Sequence, residues 1–212
     1  MIKRHITFLP IILVIIMLLP TTAYAQTIKF KIEEWEKGIN KRQPPVTVLD
    51  AVGFKKDMVV GEVGAGTGRM TLWIADRIGP DGKIYANDID REGLKQLEKR
   101  AEKSGFENIE IIIGEERDTK LPKGVLDVIF MINVFHHLSD HQTILKNILP
   151  GLKPNGYLAI VECDPGKVEW GESHGCISRK DMAAELQKAG FKLEKTVDVL
   201  KEDAIYIAVP DR

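Results

Sequence analysis

A carboxylate followed by three glycines at alternate positions is the feature of this sequence that most directly indicates chemistry. In the run VVGEVGAGTG, residues 59–68, Glu62 precedes Gly64, Gly66 and Gly68. The apolar start is typical of a strand buried on both faces, and glycine lets the backbone turn sharply and approach a ligand. Helical spacing begins at Arg69, so the pattern predicts a nucleotide-like ligand between a strand end and a helix N-terminus.

The spacing of the glycines indicates which cofactor the loop could hold. A dinucleotide-binding turn has the pattern Gly-x-Gly-x-x-Gly, in which the third glycine permits close packing of the helix on the strand. Counted from Gly64, that third position is Arg69, a long charged residue. An NAD(P)-dependent oxidoreductase on the same kind of sheet is therefore kept only as a less favoured alternative.

A second carboxylate, Asp88, ends the next predicted strand, 24 residues after Gly64. In a doubly wound sheet this strand lies beside the first, so Asp88 can accept hydrogen bonds from both hydroxyls of a ribose. Ile89 would then cover a face of an adenine ring. Asp90 precedes a helical pattern and is predicted to be its N-cap. The alternative for Asp88 is a simple strand-end turn.

Three histidines are candidates for a catalytic base, because histidine titrates near neutral pH. His136 and His137 follow the fourth predicted strand, and His174 lies in the irregular segment 164–176. That segment is rich in glycine and polar residues and is predicted to form part of the substrate pocket. The alternative for each histidine is an ordinary packed or surface residue.

The two cysteines, Cys163 and Cys176, are 13 residues apart and leave three alternatives open. They could form a disulfide that ties the substrate segment to the fifth strand, or remain as free thiols. With Asp164 and His174 they could also bind a thiophilic metal. The spacing matches no zinc signature, so no metal is predicted.

Strands and helices alternate along the chain, an arrangement that would bring these side chains to one edge of a sheet. Apolar runs predict strands near residues 58–63, 83–86, 108–113, 125–132, 157–162, 192–200 and 204–209. The alternation predicts an α/β fold, a doubly wound and mostly parallel sheet with one antiparallel edge strand and helices on both faces. Two further helices, over residues 28–39 and from Pro44 to near Gly53, are predicted in an N-terminal region, 26–56, that caps the cofactor site.

Taken in order, these landmarks resemble those of the class I S-adenosylmethionine (SAM)-dependent methyltransferases of the small single-domain kind. The Gly-x-Gly-x-Gly turn with Glu62 two residues ahead resembles motif I of that family. Asp88, the run FHHL at 135–138 and the run LKPNGYL at 152–158 follow in the family's order. The resemblance covers about residues 57–209 and implies a Rossmann-like domain, 57–212, with seven strands in the order 3-2-1-4-5-7-6. It also implies in-line transfer of a methyl group from SAM to a small-molecule acceptor.

The resemblance assigns roles to individual residues. Glu62 would lie near the ammonium group of SAM, and Glu115 would accept from the adenine amino group while the backbone N–H of Glu116 meets a ring nitrogen. Asn133 begins a stretch that in the family runs beneath the methionine end of the cofactor. A solvated charge run is the alternative for the two glutamates. The predicted cofactor contacts are Glu62, Gly64, Ala65, Gly66, Gly68, Asp88, Ile89, Glu115, Glu116 and Asn133.

Composition sets limits on the class of protein. The chain is 44% hydrophobic and 29% charged, as expected for one soluble globular domain. Its formal net charge is −1, and no basic face stands out in the sequence. Nucleic acid is therefore a poor candidate for the substrate.

The N-terminal residues are typical of a secretory signal peptide. Basic residues at 3–4 precede an apolar run over 6–19, and Ala23-Tyr24-Ala25 offers a cleavage site that would leave Gln26 as the first residue. The sequence thus predicts an exported, periplasmic or extracellular protein, with an uncleaved membrane anchor over 6–19 as the alternative. Since SAM is kept in the cytoplasm, an exported non-catalytic SAM- or nucleotide-binding module is a further alternative.

Overall fold

A computed structural model describes residues 28–168 and 175–212 of the chain. The predicted signal peptide, residues 1–25, and the candidate base His174 lie outside the described residues. Within the two described ranges, no helix is long and apolar enough to cross a membrane.

The fold is one seven-stranded sheet with the order β3-β2-β1-β4-β5-β7-β6, which confirms the predicted order. Most neighbouring strands are parallel, and β7 runs antiparallel to both β5 and β6. The predicted mostly parallel sheet is thus confirmed, and the one antiparallel strand, which was predicted at the edge, is β7, between β5 and the edge strand β6. The strands are β1 (Val59–Val63), β2 (Lys83–Asp88), β3 (Ile109–Ile113), β4 (Leu126–Ile132), β5 (Leu152–Cys163), β6 (Phe191–Val197) and β7 (Asp203–Pro210).

Six α-helices accompany the sheet in the described part of the chain. The turn signals that the sequence offers explain where several of them begin and end. The Asp90 side chain accepts from the Glu92 amide at the start of α4, and Gly105 ends that helix in a left-handed conformation. The helices are α1 (Glu34–Arg42), α2 (Pro45–Val52), α3 (Arg69–Ile78), α4 (Arg91–Ser104), α5 (His141–Ile148) and α6 (Arg179–Lys188).

The first predicted helix was placed too early. Residues 28–32 are not helical, and α1 begins only after Glu33, which forms a capping box with Glu36. Ile28, Phe30 and Ile32 instead pack at alternate positions against the core cluster next to α3 and α4. The apolar residues of this segment therefore pack on the core without forming a helical face.

The core lies on both faces of the sheet. One apolar cluster packs α2 and α3 on one face, and a second packs α5 and α6 on the opposite face. Strand β4 contributes to both, with Phe130 in the first cluster and Met131 in the second. Because β1 and β4 are neighbours and both are buried, their carboxyl ends are held rigidly at one edge of the sheet, where the site lies.

Candidate functional site

The glycine loop between β1 and α3 has the shape that its sequence predicts. Gly64, Gly66 and Gly68 all have positive φ angles, of 80°, 53° and 89°, a region that favours glycine. A Cβ at Gly64 would collide with Val134, and one at Gly68 would collide with Leu97, whereas a Cβ at Gly66 would meet nothing within 4 Å. Two of the glycines therefore permit close packing, and Gly66 faces open space.

Asp88 holds this loop in place from the end of β2. Its Oδ2 accepts from the Gly66 amide at 2.7 Å and its Oδ1 accepts from the Asp90 amide at 2.9 Å. Each carboxylate oxygen has a second lone pair, so the half-buried side chain can still accept from a ligand hydroxyl. The structure thus gives Asp88 a loop-ordering contact that the sequence did not predict, while its role at a ribose stays a prediction.

Two cavities lie on either side of the loop, and Gly64 lines both. The larger is 320 Å³ and the smaller is 160 Å³. Of the ten predicted cofactor contacts, only Gly68 lines neither of these two cavities, since it begins α3 above Leu97. The larger cavity is lined by residues that include Asp88, Ile89, Glu115, Glu116 and His137. The smaller cavity is lined by residues that include Trp35, Glu62, Ala65, Gly66 and Asn133.

The larger cavity combines an apolar surface with carboxylates. Ile89 is 58% exposed there, which is unusual for isoleucine and leaves a flat apolar face available to a ring. Glu115 lies at the cavity wall with its carboxylate on the Lys120 ammonium, 2.6 Å away. The structure thus brings Asp88, Ile89 and Glu115 together as predicted, and the adenine contact assigned to Glu115 stays a prediction.

Glu62 is a buried carboxylate at the wall of the smaller cavity. Only 1% of the residue is exposed, and its Oε2 accepts from the Thr71 hydroxyl at 2.6 Å. Burial raises the pKa of Glu62 to about 7, against the opposing effects of the Thr71 hydrogen bond and the Arg69 charge. A bound cation would therefore be favoured here, because it would stabilise the ionised carboxylate.

Asn133, at the carboxyl end of β4, belongs to a polar network that the sequence did not reveal. Its left-handed backbone (φ 55°) turns the side chain toward Gln43, and the two amides exchange hydrogen bonds of 2.8 and 2.9 Å. Arg69 Nη2 donates to Gln43 Oε1 at 2.9 Å, and burial lowers the pKa of Arg69 to about 10. Gln43 follows α1 and lies 90 residues before Asn133, so no local spacing could have connected them.

Two charged groups fix α1 over the glycine loop. Arg100, on α4, donates to the Thr67 carbonyl at 2.7 Å and to Glu36 Oε1 at 2.8 Å. Glu36 is 1% exposed, so this ion pair is buried on the acidic side. The contacts of α1 with the loop are consistent with the predicted capping role of residues 26–56, which stays a prediction.

A further buried carboxylate, Asp203, begins β7 at the same edge of the sheet. Arg42 Nε lies 3.6 Å from its Oδ2, and the Arg42 guanidinium also donates to Asn133 Oδ1 at 3.3 Å. Burial raises the pKa of Asp203, while the Arg42 charge opposes the shift. Because β7 is antiparallel, its first residue meets the last residues of the parallel strands here, which the sequence did not indicate.

Of the candidate bases, His136 has a buried partner. His136 and His137 lie in a short 3₁₀ turn, Phe135–His137, after β4, and their ring centroids are 3.9 Å apart. His136 Nδ1 lies 2.8 Å from Oε1 of Glu162, which is 0% exposed. His137 is exposed and lines the larger cavity. One signal for Glu162 is visible in the sequence, because it is a charged residue directly after the apolar run 158–161.

Cys163 and Cys176 form a disulfide with a Cα–Cα distance of 5.1 Å. Of the three alternatives left open by the sequence, the structure therefore contains the disulfide, which ties Cys176 to the end of β5. The bond follows Glu162 directly in the chain, and Gly175 would place a Cβ 3.8 Å from the His136 Cβ. The disulfide therefore lies beside the histidine turn.

Comparison with known proteins agrees with the geometry. A family model described as a methyltransferase domain matches residues 54–205. The solved structure of a SAM dependent methyltransferase from Aquifex aeolicus superposes with a TM-score of 0.73 and 28% sequence identity, covering 84% of this chain and 98% of that one.

Curated relatives include two bacterial demethylmenaquinone methyltransferases. The protein from Anoxybacillus flavithermus is 27% identical over 128 residues, 60% of this chain and 50% of the relative. The one from Geobacillus stearothermophilus is 25% identical over 129 residues, 61% of this chain and 51% of the relative. The chain thus spans about half the length of the curated relatives it matches.

Proposed function

We propose an acceptor class for this protein from the premise that the chain belongs to the class I SAM-dependent methyltransferases. It is an enzyme whose cofactor is SAM, and we infer that its methyl acceptor is a small molecule. The curated relatives that it matches carry names that specify a small-molecule acceptor, demethylmenaquinone. The observation that carries the cofactor part of the proposal is the pair of cavities that Gly64 lines, because one can hold an adenosine while the other holds a charged amino-acid end.

The residues present fit the cofactor. Gly66 leaves open space where any other residue would place a Cβ, and the buried carboxylate of Glu62 suits an ammonium group. Asp88 has lone pairs left for ribose hydroxyls, and Ile89 offers its apolar face to the adenine. When bound, SAM supplies a methyl group on a positively charged sulfur, ready for attack by a nucleophile of the acceptor.

What the chain itself must do is align the acceptor, exclude water and accept a proton where the nucleophile carries one. The segment from Asn133 to Ser139 suits this task, since Asn133 lines the smaller cavity while His137 and Ser139 line the larger. An acceptor at this turn would have both histidines within the same short stretch of chain. We therefore place the acceptor beside the turn.

Mass spectrometry of ligand carried through purification, followed by calorimetric titration with SAM, tests the cofactor part. We expect SAM or its demethylated product in the purified protein and saturable SAM binding. Transfer of a labelled methyl group to small-molecule extracts, with protein and nucleic acid as comparison acceptors, tests the rest. Label that enters only macromolecules would contradict a small-molecule acceptor, and absence of SAM binding would support the non-catalytic alternative.

We also propose that residues 1–25 are a cleaved export signal. The basic start, the short apolar run and the Ala-Tyr-Ala site support this, and so does the disulfide, because disulfides persist mainly in oxidising compartments. Sequencing the N-terminus of the native protein should give Gln26 first. A start at Met1, with the protein kept in the membrane after carbonate washing, would identify an anchor instead.

A further inference from the structure

The pairing of His136 with Glu162 joins two strands at the site edge. Glu162 is the second-last residue of β5, and β5 pairs in parallel with β4, which leads into the histidine turn. Its Oε1 lies 2.8 Å from His136 Nδ1, and its Oε2 accepts from the His136 backbone amide at 3.3 Å. The carboxylate therefore holds both the ring and the backbone of one histidine.

The contact with Glu162 indicates which ring nitrogen of His136 carries the proton. Glu162 is 0% exposed, and the His136 side chain is 18% exposed. An ionised carboxylate can only accept hydrogen bonds, so the proton of a neutral His136 ring belongs on Nδ1. Nε2 then carries the free lone pair and is the ring atom that can accept a proton from an acceptor.

Other contacts keep Glu162 from turning away. The Cys163 amide donates to Oε1 at 3.2 Å, and Cys163 is itself fixed by its disulfide to Cys176. The second titratable ring in contact with His136 is His137, at 3.9 Å between centroids. The arrangement is that of a histidine oriented by a fixed carboxylate, in a turn whose neighbour His137 lines the larger cavity and which follows Asn133 at the smaller one.

We propose that Glu162 is a positioning residue that makes His136 the general base for an acceptor with a phenol-type hydroxyl. This inference rests on the proposed function and adds the acceptor's chemical class to it. A phenol loses its proton only near pH 10 when free in water, so a base that takes the proton during the reaction raises the rate. A thiol, which is a good nucleophile as its readily formed thiolate, needs no such base.

In the proposed step, proton transfer accompanies methyl transfer. The acceptor O–H bond breaks and its proton goes to His136 Nε2, while the oxygen forms a bond to the methyl carbon. The sulfur–methyl bond of SAM breaks with its electron pair going to sulfur. The products are a methyl ether, a neutral thioether and the imidazolium ion of His136 paired with Glu162. The imidazolium then returns the proton to solvent.

Nitrogen NMR of the histidine rings tests the positioning role without any acceptor. In the SAM-free protein we expect His136 to carry its proton on Nδ1, its signals being assigned by their loss in His136→Asn. In Glu162→Ala this tautomer should no longer dominate. The SAM affinity of this variant, measured by calorimetry, should equal that of the wild type. Protonation of wild-type His136 mainly on Nε2 would overturn the proposal.

Turnover tests the acceptor class, with 2-naphthol and catechol as hydroxyl probes and 2-naphthylamine as the matched amine. We expect methylation of the hydroxyl probes, and a kcat about 100-fold or more lower in Glu162→Gln with little change in the KM for SAM. The acid limb of its pH–rate profile should move to lower pH, because the imidazolium loses its carboxylate. Glu162→Asp should recover part of the rate.

Glu185→Gln, which changes a carboxylate on α6 that contacts Gln142, is the matched control and should behave as wild type. Methylation of the amine alone, or of no hydroxyl probe although SAM binds, would overturn the acceptor class. A rate loss in Glu162→Gln with an unmoved pH profile would reduce Glu162 to a structural residue. Loss of SAM binding in the wild-type protein would instead contradict the proposed function itself.

Discussion

Two buried carboxylates, Glu62 and Glu162, differ in the partners that surround them, and in our proposal one serves the cofactor and the other the acceptor. Glu62 on β1 lies at the wall of the smaller cavity and is hydrogen-bonded only by a hydroxyl among its described contacts. Glu162 on β5 is equally buried but is held by a histidine and two backbone amides. The same residue type thus suits a ligand cation in one place and the proposed base, His136, in the other.

SAM affinity should depend on pH through Glu62. With its pKa raised to about 7, Glu62 is mostly protonated at pH 5.5 and cannot attract an ammonium group. We expect calorimetry to give affinity roughly tenfold weaker at pH 5.5 than at pH 7.5. In Glu62→Gln, affinity should be weak at both values, and a wild-type affinity equal at both would contradict the assignment.

The raised pKa of Glu62 also makes the free energy of unfolding depend on pH. The native state holds the Glu62 proton up to about pH 7, whereas an unfolded chain releases it near 4.5. The contribution of Glu62 to the free energy of unfolding therefore decreases as the pH rises between these values. Denaturation of SAM-free wild type and Glu62→Gln should show the variant gaining relative stability across this range.

Asp88→Ala should weaken SAM binding by roughly 30-fold or more. The substitution removes two ribose acceptors, together worth about 2–4 kcal/mol, and also releases the Gly66 amide that Asp88 holds. Calorimetry measures the loss, with Asp81→Ala in the distant turn before β2 as control. A loss below about threefold would move the ribose site elsewhere.

The elements show why some of the fold was predictable. Helix α4 begins directly after the predicted N-cap Asp90, because an N-cap is a local signal that acts within one turn. Strand β5 begins five residues before its predicted start, because Leu152 pairs with Leu126 ahead of a register shift that no local pattern marks. Local signals give element ends, whereas pairing partners distant in sequence can extend them.

The candidate site divides in the same way. The glycine loop and Asp88 were predictable because each is set by its own strand end and turn. The parts of Gln43 and Glu162 in the site were not predictable, because the side chains that they contact lie 90 and 26 residues away in the sequence. Those contacts exist only once β4 lies beside β5 and α1 lies against the sheet edge.

Helix α1 should depend on Arg100 for its position over the loop. Arg100→Ala leaves the buried Glu36 carboxylate unpaired, which should lower the free energy of unfolding by about 3 kcal/mol. SAM affinity should fall too, because the Thr67 carbonyl loses its donor. Lys95→Ala, an exposed change on the same helix, is the control for denaturation and calorimetry. An unchanged SAM affinity would show that α1 does not order the loop.

At the scale of the whole molecule, the disulfide is the one covalent link across the segment between β5 and α6. Reduction should lower the free energy of unfolding by about 2–4 kcal/mol, measured by denaturant titration with and without reductant. Cys176→Ser should show the lower value in both conditions. A wild-type protein whose stability is unaffected by reductant would contradict a structural role for the bond.

The strand order also places the first three strands of the chain on one side of the sheet and the last four on the other. β1, β2 and β3 form one side of the sheet, and β4 closes against β1 only after the exposed link at residues 123–125 has been made. The first side carries Glu62, Asp88 and Glu115, and the second carries His136 and Glu162. A chain cut between Lys123 and Gly124 would thus separate nine of the ten predicted cofactor contacts from the proposed base His136. Two such fragments would rebuild a working enzyme only by reuniting β1 with β4, so that SAM, whose predicted contacts include Asn133 of the second fragment, would become the ligand that drives their assembly.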